Sequence, residues 1–411
     1  MKVTHDIAIL GGKRTAMAEY CGSGPEFGKF KDLSANDLGA HAIRNALIDA
    51  NVKPTDIGHV VMGNAMQTSV DAHYGARHAA LKAGIPIETP ALTVQRICGS
   101  GAQAVVTASQ MMLLGEHDIT VAGGQESMSM APFCLYGNVA RVGIRFGQQP
   151  TMVDFLFQGL HDGFCNNFMA QTADNASRKY EVSRESADKF AFRSHELGAK
   201  AAKAGRFKAE IAPYTVKQGK KEFVVELDDH IKPETTYDGL AKLRPAFGEN
   251  GLVTAGNASG IVDGAAALVL ANTAGVKKLG AKPRAFVRGW SIAGVDPSVM
   301  ALGPVPAIVG LLKDTGLSIK DIDLVEINEA FAPQVVACVN ALKKDHNIEL
   351  PIDKLNVNGG AVSLGHPLGA TGARLILTLV HELALRKARY GIATMCIGGG
   401  QGIAVLIERA V

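Results

Sequence analysis

An excess of either charge is nearly missing from this chain: 42 Lys and Arg face 39 Asp and Glu, a formal net charge of +3 over 411 residues. A balance that close supplies no broad basic face, so no nucleic-acid partner is expected. Cysteine is sparse, and the six thiols (21, 98, 134, 165, 338, 396) form no C-x-x-C pair and no metal-ligand spacing. That excludes a disulfide framework and a thiolate metal centre, and it points to reduced thiols in a cytoplasmic compartment with no bound metal. Long apolar runs are missing too. The longest uncharged stretch near the end, Gly391 to Ile407, is broken by Gly398, Gly399, Gly400, Gln401 and Gly402, so no membrane span is expected. Lys2, His5 and Asp6 stand where a secretory leader needs its apolar centre, and the final Glu-Arg-Ala-Val matches no common retention or peroxisomal address.

What is present is apolar content and glycine. Hydrophobic residues make up 47% of the chain and charged ones 20%, enough to bury a large core. At about 150 residues per domain, the length suggests two or three domains. The 46 glycines cluster beside apolar runs without a collagen-like period, which indicates close backbone approach to a ligand or another chain.

The chain also repeats itself. Asp56-Ile57-Gly58-His59-Val60-Val61-Met62-Gly63-Asn64-Ala65-Met66 lines up with Asp321 to Phe331, Ser100-Gly101-Ala102-Gln103 with Thr371-Gly372-Ala373-Arg374, and Val121 to Gln125 with Ile397 to Gln401. The matches are collinear with a slowly drifting offset, which favours duplication over chance likeness of Gly-rich segments. Short apolar runs (Ile7–Leu10, Val60–Met62, Ile119–Ala122, Leu324–Ile327, Ile392–Cys396) alternate with helical patterns (Asp37–Ala50, Gly101–Leu114, Thr371–Leu385). That alternation predicts α/β units around a largely buried sheet. Residues 131–260 form an insertion with a polar helix pattern from Thr172 to Ala204 and a charged stretch from Lys217 to Lys232. The expected division is 1–130 plus 261–283 as one half, 131–260 as a loop domain over one face, and 284–411 as the second half.

Four segments carry chemistry. Cys98 lies between an apolar run and the small-residue helix start Gly99-Ser100-Gly101. A helix N-terminus favours thiolate, so this thiol is expected to titrate below the ordinary value of about 8.5, although a lone cysteine before a helix is commonly a small buried hydrophobe. His366, between Gly365 and Pro367 just before a helix, has a neutral imidazole suited to taking the Cys98 proton; a loop histidine satisfied by backbone is the plainer alternative. Cys396 leads into Gly398-Gly399-Gly400. A dinucleotide loop fails there, because Ile403 stands where the last glycine belongs and no acidic residue follows some 20 positions on. Asn328-Glu329-Ala330-Phe331 ends a strand, with Asn328 read either as a cap or as a donor orienting water, and Glu329 as a first-turn carboxylate.

Together with Gly123-Gly124-Gln125-Glu126-Ser127-Met128-Ser129 and Asn257-Ala258-Ser259-Gly260, these segments closely resemble the thiolase family of acetyl-CoA C-acyltransferases, over nearly the whole chain. The resemblance implies a duplicated five-layered α-β-α-β-α core with an inserted loop domain. It implies reversible Claisen condensation of acyl-CoA units, or thiolysis of 3-ketoacyl-CoA, most readily as an acetyl-CoA acetyltransferase. A 3-ketoacyl-CoA thiolase of longer chain length and a non-catalytic acyl-CoA binder are the alternatives. Carried over residue by residue, Cys98 is the acyl-bearing nucleophile, His366 its activator, Cys396 the thiol that moves the α-proton and Asn328 the holder of a water. The N–H groups of Cys98 and Gly398 form an oxyanion hole. Ser259, Met169, Phe247, Ala255, Ala330 and Phe331 are expected along the pantetheine arm of coenzyme A. Phe168 stands where short-chain members often have histidine, Lys232 where arginine often meets the adenine and phosphates, Val262 in place of a common asparagine and Ala16 in place of a common proline. Coenzyme A and its thioesters are substrates in this reading, no cofactor is required, and a homodimer or a tetramer built as a dimer of dimers is expected.

Overall fold

The apolar runs become strands longer than the runs themselves. The computed structural model describes residues 1–411, the side chain of Thr4 apart. Nine strands make up its main sheet: β1 (Lys2–Arg14), β2 (His59–Gly63), β3 (Ala91–Val94), β4 (Ile119–Glu126), β5 (Val262–Asn272), β6 (Ala285–Gly294), β7 (Leu324–Ile327), β8 (Tyr390–Ile397) and β9 (Gln401–Arg409), with the short strand Ala18–Glu19 beside β5. Burial on both faces explains the near-continuous apolar sequence of β5, which is covered along all but its last residue.

The strand order exposes the duplication. From one edge the first half reads β3-β2-β4-β5-β1, with β3, β2 and β4 parallel and β5 antiparallel to β4. The second half reads β7-β8-β9-β6, with β7 and β8 parallel and β9 antiparallel. A single parallel bridge from Val325 to Leu355 stands where the second half would have its counterpart of β3. The halves join through antiparallel pairing of β1 with β6, Ile7 opposite Val287, so one sheet runs through both.

Eight helices are eight or more residues long: α1 (Ala35–Ala50), α2 (Gly75–Lys82), α3 (Ser100–Leu113), α4 (Met169–Lys179), α5 (Arg184–Lys203), α6 (Pro304–Thr315), α7 (Ala332–His346) and α8 (Leu368–Arg386). α1 and α2 cover the outer face of the first half, α6 and α7 that of the second, and α3 and α8 pack side by side between them. By length and composition α8 passes for a membrane span, yet 83% of its most apolar window is buried in the protein; it is the core helix of the middle layer. The helix expected over 172–204 is in fact two, α4 and α5. Glu181 breaks it at φ 54°, and Ser183 restarts it by accepting the Ser186 N–H on its side chain. Both helices lie in the inserted segment and pack against α7. The segment's return is pinned by the fully buried Arg14, whose guanidinium donates to both carboxylate oxygens of Asp228 at 2.7 and 2.8 Å.

Candidate active site

The middle layer brings the two halves of the site together. The first turns of α3 and α8 touch backbone to backbone. A Cβ on Gly101 would stand 2.7 Å from the Ala373 nitrogen, and one on Gly372 would collide with the Ala102 nitrogen. Only glycine allows that approach. Cys98 lies just ahead of one of these turns and His366 just ahead of the other, so two residues distant in sequence converge.

Each is held by its own local geometry. Ile97 takes the left-handed conformation at φ 44°, a rare state for a β-branched residue. It is stabilised by the Ser100 hydroxyl, which donates to the Ile97 carbonyl at 2.7 Å and accepts the Arg96 N–H at 2.8 Å. The tight turn points Cys98 inward, 7% exposed. Ahead of His366, Gly365 sits at φ 92° with its Cα against the Val262 side chain, which leaves no room for a Cβ. The His366 N–H donates to the Gly260 carbonyl at 2.9 Å. Its ring spans two partners, with Nδ1 at 2.6 Å from Thr371 Oγ1 and Nε2 at 3.3 Å from Asn328 Nδ2. Asn328 follows β7, donates its N–H to Thr394 of β8 at 2.9 Å, and keeps Oδ1 buried without a donor among the described residues. Cys396, near the end of β8, is fully buried against Met300 and Ala330.

The electrostatics correct one expectation. Burial pushes the Cys98 thiol up to about 11, although the N–H groups of Gly398 and of Cys98 itself favour the thiolate. Desolvation therefore outweighs the helix terminus, and the resting thiol keeps its proton. Burial, with the charge of Arg374 adding to it, pushes His366 down to about 3, so the imidazole is neutral. Cys396 is raised well above the ordinary thiol range by burial, with the Cys98 and Cys338 thiols adding to it. The site holds a neutral thiol and a neutral imidazole on one cavity and a second neutral thiol, a set in which protons move when a substrate arrives.

Cys98 and His366 open into a cavity of about 260 Å³. Its walls include Phe168, Met169, Phe247, Ala255, Ser259, Ala330 and Phe331, all of the expected pantetheine contacts. Phe168 stacks on Phe247 with ring centres 4.9 Å apart and meets Phe157 at 4.6 Å. Asn328 and Cys396 stand behind this wall, and Gly398 faces Ile97 and Met169. Lys232 is not brought to the cavity; it is exposed on the insertion. Among the described residues, no group of three His, Cys, Asp or Glu is arranged to hold a metal ion.

Three residues not assigned to the site from sequence support it. Glu329 is not in a first turn and Asn328 is not a cap, since α7 begins at Ala332. Instead the buried Glu329 carboxylate accepts from Ser194 Oγ at 2.6 Å, Asn356 Nδ2 at 2.8 Å and the Val362 N–H at 3.1 Å, clamping the loop that carries His366. Glu126, raised to about 7 by burial, accepts the N–H groups of Ala65, Met66 and Gly369 and so ties the start of α8 to the loop after β2. Thr371 holds the imidazole. The motif Gly-Gly-Gln-Glu flagged Glu126, whereas nothing local in the sequence distinguishes the partners of Glu329.

Two family models match the chain: "Thiolase, N-terminal domain" over residues 7–274 and "Thiolase, C-terminal domain" over 281–409. The chain is 45% identical over 408 residues to the mitochondrial 3-ketoacyl-CoA thiolase of Homo sapiens, covering 99% of each chain. It is 43% identical to an acetyl-CoA acetyltransferase of Chromobacterium violaceum, covering 98% of this chain and 100% of that one. The crystal structure of the human mitochondrial 3-ketoacyl-CoA thiolase in complex with CoA superposes with a TM-score of 0.92 at 44% identity, covering 100% of both chains.

Proposed function

The chain belongs to the thiolase family and is an acyltransferase, and from that premise we propose how its own residues carry the reaction. Cys98 attacks the thioester carbonyl of an acyl-CoA while its proton passes to His366 Nε2. The oxyanion rests on the N–H groups of Cys98 and Gly398, and coenzyme A leaves with the proton from His366. Cys396 then gives its thiol proton to the freed His366 and, as the thiolate, removes the α-proton of a second acyl-CoA. The enolate oxygen of that acyl-CoA is held by the protonated His366 and by a water on Asn328. The carbanion attacks the acyl carbonyl to form the C–C bond, and Cys98 leaves as a thiolate that regains its proton from His366. Thiolysis is the same path reversed. The observation that carries this reading is the convergence of Cys98 and His366 on one cavity, with Asn328 bonded to the imidazole and Cys396 behind the wall.

Coenzyme A is the carrier we propose for that cavity, in line with the CoA complex of the human relative; Lys232 is left to the exposed phosphate end. Acetyl transfer, read from the sequence, is the core reaction. Met66, Met128, Leu156 and Leu368 pack around Cys98, and Phe157 and Phe168 stand on the same side. A wall without polar groups accepts alkyl chains beyond acetoacetyl as well. The six unpaired thiols suit a reducing, cytoplasm-like compartment. The edge strand β3 is paired on one side only, with Leu92 exposed, which suits pairing with a second copy in a dimer; a monomer by light scattering would remove that reading.

The test is mass spectrometry of the protein after incubation with acetyl-CoA, followed by thiolysis of 3-ketoacyl-CoA esters of rising length. An acetyl adduct on Cys98, its loss in Cys98→Ala, and turnover extending past acetoacetyl-CoA are expected. No adduct and no thiolysis would leave an acyl-CoA binder, and turnover confined to acetoacetyl-CoA would remove the longer chains.

A further inference from the structure

The geometry points to Thr371 as a positioning residue that fixes the tautomer of His366, leaving Nε2, the nitrogen beside Asn328, bare. This rests on the acyl-transfer reading above and goes beyond it by naming what prepares the base.

The bonds close in one direction. The Thr371 hydroxyl donates to the Pro367 carbonyl at 3.1 Å, which leaves its oxygen to accept. The His366 Nδ1 lies 2.6 Å away, so Nδ1 carries the proton. Nε2 is then an acceptor, matched by the Asn328 amide N–H at 3.3 Å. Thr371 and Asn328 are fully buried and His366 is 5% exposed in the cavity wall, so each ring nitrogen has a protein partner there. The hydroxyl cannot drift, because Thr371 belongs to the first turn of α8, where the Gly372 contact with α3 fixes the backbone.

The duplication supplies a built-in comparison. Thr371 aligns with Ser100, the first residue of α3. Each hydroxyl donates back to a carbonyl of the preceding turn, Ser100 to Ile97 and Thr371 to Pro367. In the first half the remaining acceptor position takes a backbone N–H, that of Arg96; in the second half it takes the imidazole. The same helix-start hydroxyl shapes the nucleophile's turn in one copy and aims the base in the other. A neutral hydroxyl orients the ring without the charge of a carboxylate, in keeping with an imidazole that stays unprotonated at rest.

Two measurements test this. In the resting wild-type enzyme, ¹⁵N NMR of labelled histidine should show His366 protonated at Nδ1 and bare at Nε2, a result independent of any catalysis. Thr371→Val removes the acceptor while nearly conserving volume. The rate of Cys98 acetylation should fall about 10- to 100-fold, the range expected for leaving one buried N–H unpaired, with KM for acetyl-CoA held. Thr371→Ser should restore most of the rate, since it keeps the hydroxyl and loses only the methyl. A proton on Nε2 at rest overturns the proposal, as does a wild-type rate in Thr371→Val or an equal loss in Thr371→Ser. If Thr371→Val fails to fold, the wild-type spectrum and the Ser variant decide. Absence of acetylation in the wild-type enzyme would instead defeat the acyl-transfer reading and leave the tautomer assignment standing on the spectrum.

Discussion

Gly372→Ala tests the link between fold and chemistry. The new methyl would collide with the Ala102 nitrogen and lie 2.8 Å from the Ala102 Cβ, both on the neighbouring helix and neither able to rotate away. Two effects oppose each other. Alanine is favoured over glycine inside a helix by about 1 kcal/mol, and forcing a methylene into a packed layer costs about 1–3 kcal/mol. The obstacle is backbone, so the upper part of that range applies, and the net loss of stability is roughly 1–2 kcal/mol. The kinetic consequence should be larger. Cys98 and His366 precede these two helices, so parting the helices moves nucleophile from base, and a misplacement of about 1 Å costs on the order of 100-fold in rate. Urea unfolding should show a lower midpoint at constant slope, and thiolysis should show kcat reduced about 100-fold with KM little changed. A variant with parental kcat would refute the idea that this crossing sets the distance between the two residues.

Two further outcomes follow from the site. Cys396→Ser should abolish exchange of the acetyl-CoA α-protons while acetylation of Cys98 persists; equal loss of both would show that the thiols do not act separately. Cys98 should react with iodoacetamide at a rate that stays low through neutral pH and climbs only toward pH 11, because its thiol is pushed up to about 11 and His366 down to about 3. The thiolate fraction thus grows as pH rises, with no base protonation to limit it above about pH 5. An inflection near pH 7 would mean that the helix terminus, not burial, governs this thiol.

Much of the architecture was legible without coordinates, because duplication and α/β alternation are written in local patterns. The runs at Leu324–Ile327 and Ile119–Ala122 are strands or parts of strands, and the aligned segments Asp56–Met66 and Asp321–Phe331 fall on β2 and β7. The break between α4 and α5 escaped notice because Tyr180-Glu181-Val182-Ser183 contains neither glycine nor proline; a left-handed Glu181 ends the helix there. Cys98, His366 and Cys396 stood out because each adjoins a glycine-rich turn, and Asn328 because it ends the strand Leu324–Ile327.

The amino-acid order by itself determined the α/β alternation, the repeat and the residue types that carry chemistry, since these are read from patterns along the chain. Protonation and partnership were decided by the tertiary structure alone. The Cys98 thiol is raised rather than lowered because burial removes the water that would solvate its anion, a quantity no helix-start motif encodes. Glu329 became a loop clamp, and Lys232 was left outside the cavity, because contacts between distant segments place side chains where no local rule reaches.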